Sequence, residues 1–179
     1  MDSKNVADST AAKRPSGAQP AANEAAESEA VPDQAHELSD ALARMTWREM
    51  PERFALLGCQ TRALTPELLA EFARGAAPRQ LIREAEGWTL LVSDAEAENW
   101  LERLPGARCT RPWVWLRFDL PMAWDLVGFL AHVTGLLARE GVSVGAICGY
   151  DRDHLIISAE QRDAARSALE RAFGPETIP

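Results

Sequence analysis

The sequence predicts an α+β protein with helices on one face of antiparallel sheets, organised as two copies of one small unit. Three observations carry this expectation. Hydrophobic periodicity over residues 113–173 runs strand, helix, strand, strand, helix, and residues 54–104 repeat that order. Both strand pairs are joined by short turn sequences, Glu86-Gly87 and Asp151-Arg152-Asp153, which favour hairpins. The length of 179 residues holds one ordinary domain or two small ones.

Composition narrows the class. An apolar fraction of 46% can build a core. No 18-residue uncharged apolar run occurs, and no apolar block follows a basic start, so a protein that neither enters nor crosses a membrane is expected. Cys59, Cys109 and Cys148 are few, odd in number and far apart, which argues against a disulfide framework and for a reducing, cytoplasmic home. A formal net charge of −8 disfavours nucleic acid, because phosphate binding needs a basic face to displace counterions.

Residues 1–35 are Ala, Ser, Glu, Asp, Pro and Asn with almost no large side chains, the composition of a disordered acidic tail. Over residues 36–50, Leu38, Leu42 and Met45 recur at helical spacing behind Ser39 as an N-cap, giving a short helix or linker. Residues 51–110 then form a degenerate N-terminal unit. Pro51 breaks the helix and the apolar run 54–59 reads as a strand. Thr65-Pro66-Glu67 opens a helix carrying Leu68, Leu69 and Phe72, which Gly75 stops. Residues 78–83 and 88–92 are short strands. Ser93 and Glu96 have capping-box spacing ahead of a helix striped by Ala97, Trp100, Leu101 and Leu104, which ends before Pro105-Gly106.

Residues 111–175 form the second unit. In its first strand Val114, Leu116, Phe118 and Leu120 share one face, toward the helices; Trp113, Trp115, Arg117 and Asp119 share the other. Two exposed tryptophans would leave a costly apolar surface, so that face is expected to be covered by the first half, by another subunit, or by the Met45 to Met50 segment. A helix follows with Leu126, Phe129, Leu130, Val133, Leu136 and Leu137 as its stripe and Gly128 and Gly135 inside it. Each internal glycine costs roughly 1 kcal/mol against alanine, which close helix-to-sheet packing or the approach of a ligand would justify. The turn Pro121-Met122-Ala123-Trp124-Asp125 leaves backbone N–H groups at the positive end of that helix, where a carboxylate can bind. The strand 142–150 carries Gly145, Ala146, Cys148 and Gly149, small residues that keep space open beside the helix start. His154-Leu155-Ile156-Ile157 forms the returning strand, and an alanine-rich helix ends at Phe173. The remaining GPETIP makes no convincing final strand, so the second unit either lacks its fourth strand or borrows one, for example from residues 54–59.

Leu126-Val127-Gly128-Phe129-Leu130, Gly141-Val142-Ser143-Val144, Ala146-Ile147 and Tyr150-Asp151-x-Asp153 before an apolar strand resemble the C-terminal half of tandem ACT-domain proteins related to the CASTOR arginine sensors. The resemblance spans roughly residues 50–173. It implies ferredoxin-like βαββαβ units, a homodimer formed through ACT units, an unidentified downstream protein partner, and regulatory, allosteric binding of a free amino acid or similar small effector. The implied contacts are Asp119, Met122, Trp124, Asp125, Leu126, Val127 and Gly128 from the loop and helix start, with Ala146, Ile147, Cys148 and Gly149 opposite. The chain departs from the family at Cys148-Gly149, where a small hydroxyl pair is common, and at His154, where an aromatic is common.

Two other readings stand beside this one. The units could serve assembly alone, with a collapsed pocket. Cys148, His154 and Asp151 or Asp153 could act as nucleophile, base and orienter, although no substrate or oxyanion motif accompanies them. No histidine–cysteine spacing suits zinc, and Gly145-x-x-x-Gly149 lacks the lysine of a phosphate loop, so no cofactor or metal is expected and the protein reads as a non-enzyme.

Overall fold

The computed structural model describes residues 31–178. Its elements are α1 (Val31–Arg44), β1 (Trp47–Glu49), β2 (Phe54–Gln60), α2 (Pro66–Arg74), β3 (Gln80–Arg83), β4 (Gly87–Ser93), α3 (Ala97–Arg103), β5 (Arg108–Phe118), α4 (Phe129–Arg139), β6 (Val144–Cys148), β7 (Asp153–Ser158) and α5 (Arg162–Phe173). The strands form one antiparallel sheet in the order β3-β4-β2-β5-β7-β6, with β1 added to β5. Most of the segment expected as a disordered tail lies outside the described residues. The helix expected from His36 begins earlier, at Val31, so Ser39 sits within α1 and caps nothing.

β5 joins the two units because it belongs to both. Its first half pairs with β2, from Arg108 opposite Gly58 to Trp113 opposite Phe54, and closes the N-terminal unit β2-α2-β3-β4-α3. Its second half pairs with β7, from Trp113 to Arg117, and opens the C-terminal unit. Aromatic and β-branched residues sustain an 11-residue strand where the spacing predicted only the later part. The register shifts between Phe54 and Leu56, next to Pro112, which has no N–H to give a ladder.

The fourth strand of the C-terminal unit is β1, not the 54–59 run. Trp47, Arg48 and Glu49 pair with Phe118, Arg117 and Leu116. The choice follows from what each segment can bury. The Trp47 side chain is fully buried in the core of this unit, whereas the residues after Phe173 offer only Ile178, which stays exposed. Those last residues instead line the outer edge of β1: Thr177 N–H donates to Trp47 O at 2.9 Å, Trp47 Nε1 donates to Gly174 O at 3.1 Å, and Glu49 N–H donates to Glu176 Oε1 at 2.8 Å. A three-residue edge strand is thereby covered rather than left open.

Each unit has its own core on the helical face. In the C-terminal unit Val114, Leu116 and Phe118 meet Phe129, Val133 and Leu137 of α4 and Ala165 and Leu169 of α5, with Leu38 and Leu42 of α1 packed against them. In the N-terminal unit Leu57, Leu90 and Val92 meet Leu68, Phe72 and Trp100. A third cluster lies on the other face, where Trp115 packs with Phe54, Ile147 and Ile156, flanked by Met50 and Trp113. Trp115 is 5% exposed, so the cover comes from the first half and Met50, two of the sources the sequence suggested.

Candidate functional site

At one end of the C-terminal unit the 119–128 connection meets the β6–β7 hairpin. Met122 N–H donates to Asp151 O at 3.0 Å, Arg152 Nε donates to Asp119 O at 3.3 Å, and Gly149 N–H closes the hairpin on Arg152 O at 2.8 Å. Between these tied loops lies a cavity of about 310 Å³. Met122, Trp124 and Leu126 form one wall and Cys148, Gly149 and the hairpin residues 150–153 another, while Gly128, Phe129, Leu130 and Ala131 bring in the start of α4.

α4 begins at Phe129, not at Leu126 as the apolar stripe suggested. Leu126 N–H instead bonds to Ala123 O in a turn, and Gly128 stands at the N-cap in the left-handed region, with φ of 97°. Glycine is required there by backbone conformation, since a side chain in that region is strained. A Cβ would also come 3.1 Å from Leu38 Cδ2 of α1. The first intrahelical bond runs from His132 N–H to Gly128 O. The N–H groups of Phe129, Leu130 and Ala131 thus have no acceptor within the helix, no side chain caps them, and all three residues border the cavity. Across it stand Asp151 and Asp153 of the hairpin. At the mouth Trp124 and Tyr150 are 72% and 83% exposed, with ring centroids 6.4 Å apart.

Six of the eleven predicted contacts line this cavity: Met122, Trp124, Leu126, Gly128, Cys148 and Gly149. The other five do not. Asp125 and Val127 are exposed outside it, and Ala146 lies further along β6. Ile147 points to the opposite face and is buried with Trp115. Asp119 is engaged in ion pairs, 3.1 Å from Arg48 Nη2 and 2.7 Å from Arg117 Nε. The small-residue run has other causes than an open space along its length. At Gly145 a Cβ would come 2.8 Å from Ile156 Cγ1, and at Gly149 2.9 Å from Arg152 O. Gly135 shows no crowding, its nearest neighbour being Arg139 Nη1 at 3.7 Å.

Tyr150, Asp151 and Asp153 also line the cavity; the sequence placed them in the hairpin, in the family resemblance and, for the two aspartates, in the catalytic alternative, but not among the ligand contacts. The signal was their place in a hairpin returning toward the helix start. The same register separates the imagined catalytic group. Cys148 pairs with Asp153 and lines the cavity, whereas His154 pairs with Ile147 and stacks perpendicular to Trp115 on the helix-free face, centroids 5.5 Å apart. Burial, and then the nearby Asp153 carboxylate, push the Cys148 thiol above its ordinary range, opposite to what a nucleophile needs. Among the described residues there is no cluster of three or more metal-ligating side chains, and no helix is long and apolar enough to cross a membrane.

The ACT-domain family model matches residues 108–171, which lie in the C-terminal unit and its shared strand. No curated protein matches the chain significantly. Among solved structures, a protein from Agrobacterium tumefaciens has a TM-score of 0.59 at 18% identity, covering 75% of this chain and 92% of that one. A protein of unknown function from Vibrio cholerae, described as a possible transport protein, has a TM-score of 0.57 at 22% identity and covers 74% and 92%. The regulatory subunit of aspartate kinase from Thermus flavus has a TM-score of 0.57 at 15% identity and covers 72% and 97%. At such identities the likeness is one of fold: two ACT-type, ferredoxin-like units on an antiparallel sheet, spanning nearly the whole length of each of those structures.

Proposed function

We propose that this chain is a non-catalytic, cytoplasmic ACT regulatory module whose cavity at the start of α4 binds a free amino acid. The observation that carries the reading is the pairing of opposite chemistries across one small space. Uncapped N–H groups at the positive end of α4 suit a carboxylate, and the acidic residues Asp151 and Asp153 in the opposite lining suit an ammonium group. A volume of about 310 Å³ lies at the small end of ligand pockets, which fits a compact zwitterion better than a nucleotide. The fold likeness to an aspartate kinase regulatory subunit and the CASTOR-like residues 126–130 and 141–153 support the same class. Binding would tie the 121–128 loop to the hairpin and pass to a partner protein by favouring one arrangement of the two.

A thermal-shift screen of the twenty amino acids at millimolar concentration tests this. A ligand at one hundred times its Kd stabilises by about 2.7 kcal/mol through mass action, a shift readily seen. No response to any of them would count strongly against the sensor reading. With a responding amino acid in hand, Trp124→Ala is expected to remove the response without changing the ligand-free Tm, because Trp124 is largely exposed.

A second reading is favoured by Trp124 and Tyr150, two exposed aromatic side chains that lie together at the cavity mouth. They suit docking of another ACT unit, as in a homodimer, with or without a ligand. Sedimentation of the wild type against Trp124→Ala separates the two: an assembly role predicts dissociation in the absence of any amino acid.

A further inference from the structure

We infer that the helix-free face of the sheet carries a second site, built on Arg48, Arg117, His154 and Trp115, that receives an oxyanion, the carboxylate or phosphate group of a ligand. Strand register makes the cluster. Arg48 of β1 stands opposite Arg117 of β5, and Arg117 opposite His154 of β7, so the three form one row across three strands. Trp115, two residues back along β5, lies beside that row on the same face. His154 and Trp115 are in contact, their rings perpendicular.

The charges in this patch do not balance. Asp119 Oδ1 lies 3.1 Å from Arg48 Nη2 and 2.7 Å from Arg117 Nε, so two guanidinium groups share one carboxylate. One positive charge is left over, in a chain whose formal net charge is −8. The donors do not balance either. A guanidinium carries five N–H donors and no acceptor. Among the described residues, the bond from Arg48 Nη2 to Asp119 is the one aligned hydrogen bond that either group makes; the Arg117 Nε contact is within range but misaligned.

Burial adds an independent observation. Arg48 Nε, Trp115 Nε1 and His154 Nδ1 are buried without a hydrogen-bond partner and Arg117 Nε is buried with only its misaligned Asp119 contact, and among the described residues these are all the buried side-chain nitrogens and oxygens that make no aligned bond. Such atoms are normally satisfied, and the N–H donors of Arg48, Arg117 and Trp115, gathered in one patch around the single Asp119 carboxylate, mark a place with more donors than acceptors. Trp115 is 5% exposed and forms the floor, while the Arg48 and Arg117 side chains, 26% and 29% exposed, still reach solvent. Carboxylate and phosphate oxygens supply acceptors and negative charge together, in the planar or forked geometry that guanidinium groups match. This face is opposite the cavity beside α4, so the inference stands whether or not that cavity binds an amino acid.

The test is titration of the full chain with inorganic phosphate and, separately, sodium acetate, each against sodium chloride at matched ionic strength. The readout is the indole N–H signal of Trp115 in proton–nitrogen correlation spectra, assigned with Trp115→Phe. A saturable shift is expected, with half-saturation on the order of 1–10 mM. Saturation by phosphate alone assigns a phosphate group, by acetate alone a carboxylate, and by both the shared chemistry. Arg117→Gln should raise the half-saturation concentration at least tenfold while the Trp124 indole signal stays in place; Arg48→Gln provides the same comparison if that variant does not fold. Shifts no larger than with chloride, or a curve unchanged in either folded variant, would overturn the inference.

Discussion

The two units share a topology and differ most where their first helix begins. In the N-terminal unit the chain leaves β2 through a 3-10 turn over Thr61–Ala63, buries Leu64, and enters α2 through Thr65, whose hydroxyl accepts from Leu68 N–H at 3.4 Å. Pro66 occupies the first helical position, where its missing N–H costs nothing, and Trp88 Nε1 closes the turn by donating to Thr61 O at 3.1 Å. In the C-terminal unit the corresponding start has Gly128 at the cap, no capping side chain, and a cavity against its first turn. The first helix satisfies its own terminus. The second leaves donors facing a cavity, which is why a ligand site is proposed in one copy and not in the other.

Trp47→Ala tests the contrast most severely, because it empties the strand that completes only the C-terminal unit. Loss of a fully buried tryptophan should cost about 3–5 kcal/mol. Urea denaturation should show this, and a loss below about 1 kcal/mol would mean that the unit does not depend on its borrowed strand. Gly128→Ala comes next. The left-handed conformation should cost about 1–2 kcal/mol, with Leu38 adding a close contact, and the variant should also weaken any amino-acid response. If it is neutral, the cap conformation is not held by its surroundings. Thr65→Ala makes the N-terminal helix resemble its counterpart. A destabilisation of about 0.5–2 kcal/mol is expected from the lost cap, without any new amino-acid response.

The smallest effect concerns pH. Burial, and then the Arg117 charge, hold His154 below its ordinary value of 6.5; Arg152 acts in the same direction, while Asp153 and Asp119 oppose it. A histidine whose folded pKa is depressed contributes stability that is present above its unfolded pKa and lost as pH falls through the folded value. Stability of the wild type should therefore decline more steeply below 6.5 than that of His154→Gln, measured by urea denaturation at a series of pH values. Parallel profiles would remove His154 from the account. The N-terminal unit has no described histidine in its sheet and supplies no counterpart.

Much of this protein was determined by local pattern. Period-2 alternation set the two faces of the Trp113 strand, and Thr65-Pro66 and Gly75 marked the ends of α2, because alternation, capping and backbone freedom act over a few residues. Six of the residues that line the cavity were legible for the same reason: they lie in two short stretches around a turn and a hairpin. What the tertiary structure alone decided involves partners distant in sequence. Trp47 could become the missing strand only because β5 offers an open edge beside a core with room for an indole, more than sixty residues further on. Ile147 turned away from the cavity and Asp153 came to border it according to strand register, since a shift of one position turns a side chain to the other face. Asp119 was drawn away by two arginines that meet it only across β1 and β5. Short-range sterics wrote the elements into the sequence, while pairing and charge compensation between remote segments determined which residues border the cavity.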